Sequence, residues 1–385
     1  MVKPLLILVL PLAVACGRSG FDELAAPDAT APLDAAQPPA LACDGARFPT
    51  GPTTSSLGAT PTDDGYFVLA VDSGGGVSGA AFDFSADRSL AQTTGQVAIA
   101  TGATGSVAGV GLPEGALVEV PYGRPDTTGT VLVPLDRTLQ PRGAQAKHDT
   151  WIAGAAMLAR TSSGAIALAG QDRTNRNIQG QLVDGTGAFL GAPVLLVAGS
   201  TSPQTATLVA AGDHFLATWV ASGKDDAEAR AQLLDDKLVP ITAVTKVSSD
   251  PVNGAEFPRA AYAPVADRYL FAWFQKVNGG MDQVWVSLRD GRLNELAPPQ
   301  LVASDGTMPI VAAGTDDFLV VWKDDGAKLA AARVKMTGEI TPIGVTNTGG
   351  KSAGWDVVVR DGQPALVWVE SGGTGPNLWL NPLCN

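Results

Sequence analysis

Past its first forty residues the chain repeats one hydropathy pattern: four or five consecutive apolar residues, closed by a tryptophan or a small residue and followed by a polar run. It is plainest at Phe318-Leu319-Val320-Val321-Trp322 with Lys323-Asp324-Asp325-Gly326 behind it, and it recurs at Phe215–Trp219, Tyr269–Trp273 and Ala365–Trp368. Weaker copies stand at Tyr66–Ala70, Ala116–Val120 and Ala165–Ala169, so the closing positions fall at residues 70, 120, 169, 219, 273, 322 and 368. Runs this short and this apolar predict strands covered on both faces. A second column follows the first: Asp87–Leu90, Asp136–Leu139, Asp184–Gly187, Asp235–Leu238, Asp290–Leu293 and Thr337–Ile340 each offer the Asp or Gly that a tight turn needs.

Each unit parses as four strands. The sixth is clearest, at Pro309–Ala313, Phe318–Trp322, Lys328–Lys335 and Ile340–Val345. First strands are rich in small residues (Val209-Ala210-Ala211, Ala260-Ala261, Val311-Ala312-Ala313), as a crowded central channel requires. A period near fifty residues built from four short strands predicts an all-β fold, a β-propeller of seven four-stranded blades over residues 41–385. A two-sheet sandwich also uses many short strands, but its strands are not copies of a four-strand unit.

The last copy supplies only three strands, about Asp356–Arg360, Ala365–Val369 and Asn377–Asn381, while the segment from Leu41 to about Thr50 has no other blade to join. The expectation is a ring closed by N- and C-terminal strands in one blade. Cys43 and Cys384 would then face each other, which predicts a disulfide across the closure.

Composition fits this reading: 45% hydrophobic residues, 45 glycines and 27 prolines in 385 residues suit many strands and turns. The formal charge of -12 excludes a nucleic-acid partner, whose phosphates call for a basic stripe.

The leader adds a compartment. One cation, Lys3, precedes an apolar run from Leu5 to Ala15 that is too short to span a bilayer, so residues 1–15 read as a signal peptide. Ala13-Val14-Ala15-Cys16 resembles the lipobox of bacterial lipoproteins, with Ala13 where leucine is commonest. That resemblance implies lipidation of Cys16 and attachment to a membrane. Residues 16–40, rich in Ala, Asp and Pro, read as an extended tether. Gly17 rather than an aspartate follows the cysteine, which by resemblance to the sorting rules of enteric bacteria implies the outer membrane or cell surface, with the periplasm as the alternative.

Motifs that name a reaction are missing. The two histidines, His148 and His214, fall in unrelated parts of the repeat, and there is no Gly-x-Ser-x-Gly elbow, P-loop, dinucleotide fingerprint or EF-hand run. No catalytic residue, metal ligand or cofactor is assigned. Ser85-Ala86-Asp87-Arg88-Ser89 matches only the opening of a sialidase-type turn, and the Gly-His and Trp-Asp marks of WD40 repeats are missing, so the resemblance is to propellers generally. Glu119 interrupts an apolar strand; it reads as the wet end of a degenerate copy, against a buried general acid or base. The loops between second and third strands are the most polar parts of each unit. They would gather on one face and offer Arg124, Asp126, Asp172, Arg173, Arg176, Lys224, Asp225, Asp226, Lys276, Lys323, Asp324 and Asp325 to a ligand. The function expected is non-catalytic binding or scaffolding, with an envelope protein or glycan as partner. The alternative is a glycan hydrolase or lyase using carboxylates at the channel mouth.

Overall fold

The structure is a computed structural model that describes residues 46–49, 54–62, 65–84, 90–94, 96–104, 106–123, 129–148, 157–172, 177–198, 206–222, 227–248, 254–276, 280–345, 351–360, 362–371 and 377–382. The expected signal peptide and tether, Cys16, Cys43 and Cys384 lie outside these residues.

Among the described residues the strands form seven antiparallel sheets. Blade 1 is β2 (Thr54–Pro61), β3 (Gly65–Asp72), β4 (Val77–Phe84) and β5 (Leu90–Gln92), with β6 (Val97–Ala100) also on β4. Blade 2 is β7 (Ala108–Leu112), β8 (Gly115–Tyr122), β9 (Gly129–Asp136) and β10 (Ala146–His148). Blade 3 is β11 (Met157–Arg160), β12 (Ile166–Gln171), β13 (Ile178–Val183) and β14 (Phe189–Val197); blade 4 is β15 (Thr207–Ala211), β16 (His214–Ser222), β17 (Ala227–Leu234) and β18 (Thr245–Lys246). Blade 5 is β19 (Ala255–Ala263), β20 (Arg268–Gln275), β21 (Gln283–Asp290) and β22 (Gln300–Ala303); blade 6 is β23 (Thr307–Ala313), β24 (Asp317–Lys323), β25 (Leu329–Lys335) and β26 (Ile340–Ile343). Blade 7 takes β27 (Lys351–Arg360), β28 (Gln363–Ser371) and β29 (Asn377–Pro382) from the C-terminus and β1 (Ala46–Pro49) from the N-terminus. The borrowed strand runs antiparallel to β29, with Ala46 opposite Leu380. The chain is therefore a seven-bladed β-propeller closed by its two ends in one blade, as the incomplete last copy requires.

Packing explains why the second strands are apolar throughout. Seven buried clusters sit one at each junction between blades, because each second strand turns alternate residues to the blade before and the blade after it. In β20, Tyr269, Phe271 and Trp273 pack toward blade 4, while Leu270 and Ala272 pack toward blade 6. The seventh cluster joins Val358, Ala365, Val367 and Val369 to Leu57, Tyr66, Val68 and Phe82, which closes the ring. The tryptophan column, Trp219, Trp273, Trp322 and Trp368, faces the preceding blade each time.

Blade 3 corrects one register. The expected copy ended at Ala169, but Ala167 and Ala169 pack against blade 4 and Ile166 and Leu168 against blade 2. The position equivalent to the tryptophans is thus Gly170. A one-residue slip inverts every side chain of a strand, and a run of Ala, Leu and Gly holds no bulky residue to reveal it.

Inner strands are small where neighbouring blades touch. A Cβ added to Gly58 would lie 2.3 Å from the carbonyl oxygen of Val107, and one on Gly111 would lie 2.3 Å from that of Pro61.

The turns after the third strands share one device. Asp136, Asp184, Asp235 and Asp290 each accept hydrogen bonds on Oδ1 from the backbone N–H groups two and four residues on, at 2.8–3.0 Å. The fourth residue is left-handed: Leu139 (φ 65°), Gly187 (φ 83°), Leu238 (φ 66°) and Leu293 (φ 67°). In blade 6 Gly338 (φ 91°) holds that place and its N–H reaches the carbonyl of Lys335, so the turn begins at Lys335, two residues before the expected Thr337. The blade 1 turn at Asp87 lies outside the described residues.

Candidate functional site

Register puts the start of each inner strand beside the end of its second strand, as in Ala255 opposite Gln275, Thr307 opposite Lys323 and Lys351 opposite Ser371. Blade-linking segments and second-to-third loops therefore share one face, the one expected to bind. Of the expected residues there, Arg124, Asp126, Arg173, Arg176, Lys224, Asp225 and Asp226 lie outside the described residues. Asp172 is part-buried and donates its backbone N–H to the carbonyl of Asn177 at 2.8 Å. Exposed Lys276 pairs with Glu256 at 3.0 Å. Asp324 uses Oδ1 to accept from the N–H of Lys328 at 2.7 Å, so that carboxylate shapes its own turn. Lys323 is part-buried and Asp325 exposed on the same loop.

At the channel end of this face, blades 5 and 6 carry matching irregularities. The inner strand of blade 5 slips register between Glu256 and Arg259, and that of blade 6 between Thr307 and Ile310. Each bulge holds a bulky residue in the left-handed region before a proline, Phe257 (φ 48°) and Met308 (φ 52°). Such backbone costs on the order of 1–3 kcal/mol and persists only where its surroundings enforce it; bulges of this kind re-aim side chains near functional sites. Phe257 stacks on Phe274 with ring centroids 5.6 Å apart, while Met308 is 47% exposed.

One step further down the inner strands, a ring of equivalent positions faces second-strand residues of the same rank. Gly58 pairs with Leu69, Ala108 with Glu119, Met157 with Ala169, Thr207 with Thr218, Arg259 with Ala272, and Asp356 with Val367; Ile310, in blade 6, stands opposite Val321. At five of these ranks the inner-strand residue is apolar or small, and at two, Arg259 and Asp356, it is charged. Asp356 accepts from the backbone N–H of Ala59 in blade 1 and from that of Val357, both at 2.8 Å. Desolvation raises its pKa to about 6 against those bonds and the pull of Arg259. Arg259 is shifted down, first by desolvation and against the attraction of Asp356. The two are part-exposed by surface yet strongly desolvated, as befits side chains enclosed by a ring of strands rather than facing bulk water.

Glu119 contradicts the expected wet strand end. It is 2% exposed, and Pro121 after it is buried. Oε1 accepts from Thr130 Oγ1 at 3.0 Å and buried Oε2 has no partner. Desolvation pushes its pKa up to about 8, only partly opposed by the Thr130 bond. It faces blade 3 at the junction where Gly170 stands in the tryptophan column, so blade 3 offers no indole there. Among the described residues neither Glu119 nor Asp356 has a second carboxylate acting on it. Among the described residues no three His, Cys, Asp or Glu side chains gather as a metal set.

Sequence reading passed over Arg259 and Asp356. The legible signal was a charge inside a first strand otherwise made of small and apolar residues, in Pro258-Arg259-Ala260-Ala261 and Trp355-Asp356-Val357-Val358.

No protein-family model matches the chain, and no curated relative matches it. Solved structures do. A crystal structure of the polysaccharide lyase Uly1 aligns with a TM-score of 0.57 at 10% identity, over 88% of this chain and 92% of that one. The β-propeller domain of the Trilobed protease from Pyrococcus furiosus aligns at 0.49 and 9% identity, over 86% and 99%. The Aleuria aurantia lectin aligns at 0.47 and 13% identity, over 78% and 100%. At 10% identity the likeness to Uly1 extends to the fold and not to that lyase's chemistry, and together with the closed ring of seven sheets it makes this chain a β-propeller.

Proposed function

We propose that the protein is a non-catalytic binding protein of the cell envelope, which presents the rim of blades 5 and 6 to a glycan or an envelope protein. The observation that carries this is the separation of its enclosed carboxylates. A glycosidase ordinarily sets two carboxyl groups about one bond, whereas among the described residues Glu119 is sealed between blades 2 and 3 and Asp356 is fastened to one backbone N–H of blade 1 and one of blade 7. The rim instead carries the strained, partly exposed Phe257 and Met308 beside the Lys276–Glu256 pair, a mixture of apolar and charged groups that suits recognition. A pull-down from native envelope, run beside a glycan panel assayed for both retention and cleavage, tests the reading. Retention without cleavage is expected; cleavage with no partner recovered overturns it and installs the hydrolase or lyase.

The leader supports lipidation at Cys16 and a place at the outer membrane or cell surface, with the tether over residues 16–40 as a spacer. Detergent partitioning should move wild type, and not Cys16→Ser, into the detergent phase. A disulfide between Cys43 and Cys384 is the companion proposal. Its support is that β1 begins three residues after Cys43, β29 ends two residues before Cys384, and the paired strands place those two ends together. Free thiols at both positions on non-reducing peptide mapping would remove it.

A further inference from the structure

Charged side chains are rare on the inner strands, and those described are nearly all answered. Arg160 donates to the carbonyl of Gly111 at 3.1 Å, Glu256 pairs with Lys276 at 3.0 Å, and Asp356 accepts two N–H bonds at 2.8 Å. Arg259 is the exception. Among the described residues its one hydrogen bond is to the carbonyl of the adjacent Pro258, at 3.5 Å, and it makes no ion pair with a carboxylate there. A guanidinium carries five N–H donors in a planar fork, and an enclosed one is ordinarily bidentate to a carboxylate. Among the described residues Asp356 is the one carboxylate that acts on it, and it does so without a hydrogen bond or ion pair.

We infer that Arg259 anchors an anion site inside the channel mouth, built for a singly charged carboxylate on an apolar body. Charge selects the carboxylate. Asp356 acts on Arg259 from across blade 6 and is held in place by Ala59 and Val357, so the two opposite charges leave little net field, and a doubly charged phosphate, whose desolvation cost grows with the square of its charge, is disfavoured against a singly charged carboxylate. Neighbours select the body: the way in from the loop face passes the bulges that carry Phe257 and Met308, and Ile310 stands between Arg259 and Asp356 in the ring. The site lies behind the rim proposed above and shares Phe257 and Met308 with it, but its test stands apart from that reading, because binding of a small anion needs neither the polar second-to-third loops nor a macromolecular partner.

Calorimetric titration of the full-length protein with benzoate tests it, with benzyl alcohol and inorganic phosphate as comparison ligands. Saturable benzoate binding is expected, weakened about tenfold or more in Arg259→Gln, as for loss of a charge-assisted pair. Benzyl alcohol and phosphate should bind more weakly than benzoate, and Asp356→Asn should bind benzoate several-fold more tightly once the opposing charge is gone. Should Arg259→Gln fail to fold, Arg259→Lys, which keeps the charge and loses the fork, is expected to weaken binding while Asp356→Asn strengthens it. Absent or unsaturable benzoate binding, an Arg259 variant that binds like wild type, or phosphate bound as well as benzoate each overturns the assignment.

Discussion

Leu238 sits in a conformation that leucine ordinarily avoids. Left-handed backbone costs a residue with a Cβ about 1–2 kcal/mol, and burying a leucine returns about 1.5–3 kcal/mol, so the turn accepts leucine because its side chain, 0% exposed, fills the cluster between blades 3 and 4. Glycine reverses both terms and alanine only the second. Leu238→Ala should therefore cost more stability than Leu238→Gly, by about 1 kcal/mol, in denaturant unfolding; equal losses would mean the backbone strain is not real. Glu119 has a different signature. Its pKa rises from 4.5 to about 8 on burial, so between those values the folded chain holds a proton that the unfolded chain gives up. Stability must fall as pH rises through that window, by about 3 kcal/mol from this group between pH 4.5 and 7. Urea midpoints at pH 5 and pH 8 should converge in Glu119→Gln and separate in wild type. An unchanged pH slope in the variant would show that the carboxyl is not protonated inside the fold.

At the scale of elements, β1 is four residues long and completes a blade whose other three strands lie more than three hundred residues away in sequence. Its backbone groups pair with β29 and nothing else in that sheet, so the closing blade depends on a short strand brought in across the whole chain. A chain beginning at residue 41 should unfold like the full-length protein, whereas one beginning at residue 51 should unfold at a lower denaturant midpoint with blade 7 exposed to proteolysis first. Identical midpoints for the two truncations would show that β1 adds nothing to closure. The bulges of β19 and β23 are the other element-level device. They occupy the same place in adjacent blades, each before a proline, and turn the starts of two inner strands out of register at the rim where the channel opens.

For the molecule as a whole, closure at one junction decides cooperativity. Blades 1 and 7 are joined by β1, by the cluster around Tyr66 and Val367, and by the bond from Ala59 N–H to Asp356. Asp356→Ala removes that bond and, in a ring, lowers the stability of every blade with it; in a chain lacking β1 the junction is already open and the same change should cost little. The two losses should thus be less than additive in a double-variant cycle. Simple additivity would mean the junction opens in independent pieces.

How much of this was legible follows from what each pattern encodes. The seven second strands, the third-strand turns of blades 2 to 5, the missing fourth strand of the last blade and its N-terminal replacement were readable, because burial on both faces, turn chemistry and strand count are local properties written once per repeat. Blade 3 misled by one residue: Ala167, Leu168, Ala169 and Gly170 carry no bulk to mark which face is which, and only contact with Leu208 and Phe215 on one side and Leu117 on the other settles it. Glu119 read as wet because nothing local to Leu117–Pro121 says that a neighbouring blade will cover it. Arg259 and Asp356 lie 97 residues apart in numbering and acquire a common environment only when seven inner strands are arranged around one axis. Periodicity along the chain, a matter of neighbours in sequence, determined the propeller by itself; which charges come to share one rank around the channel depends on closure of the ring, and that only the tertiary structure decided.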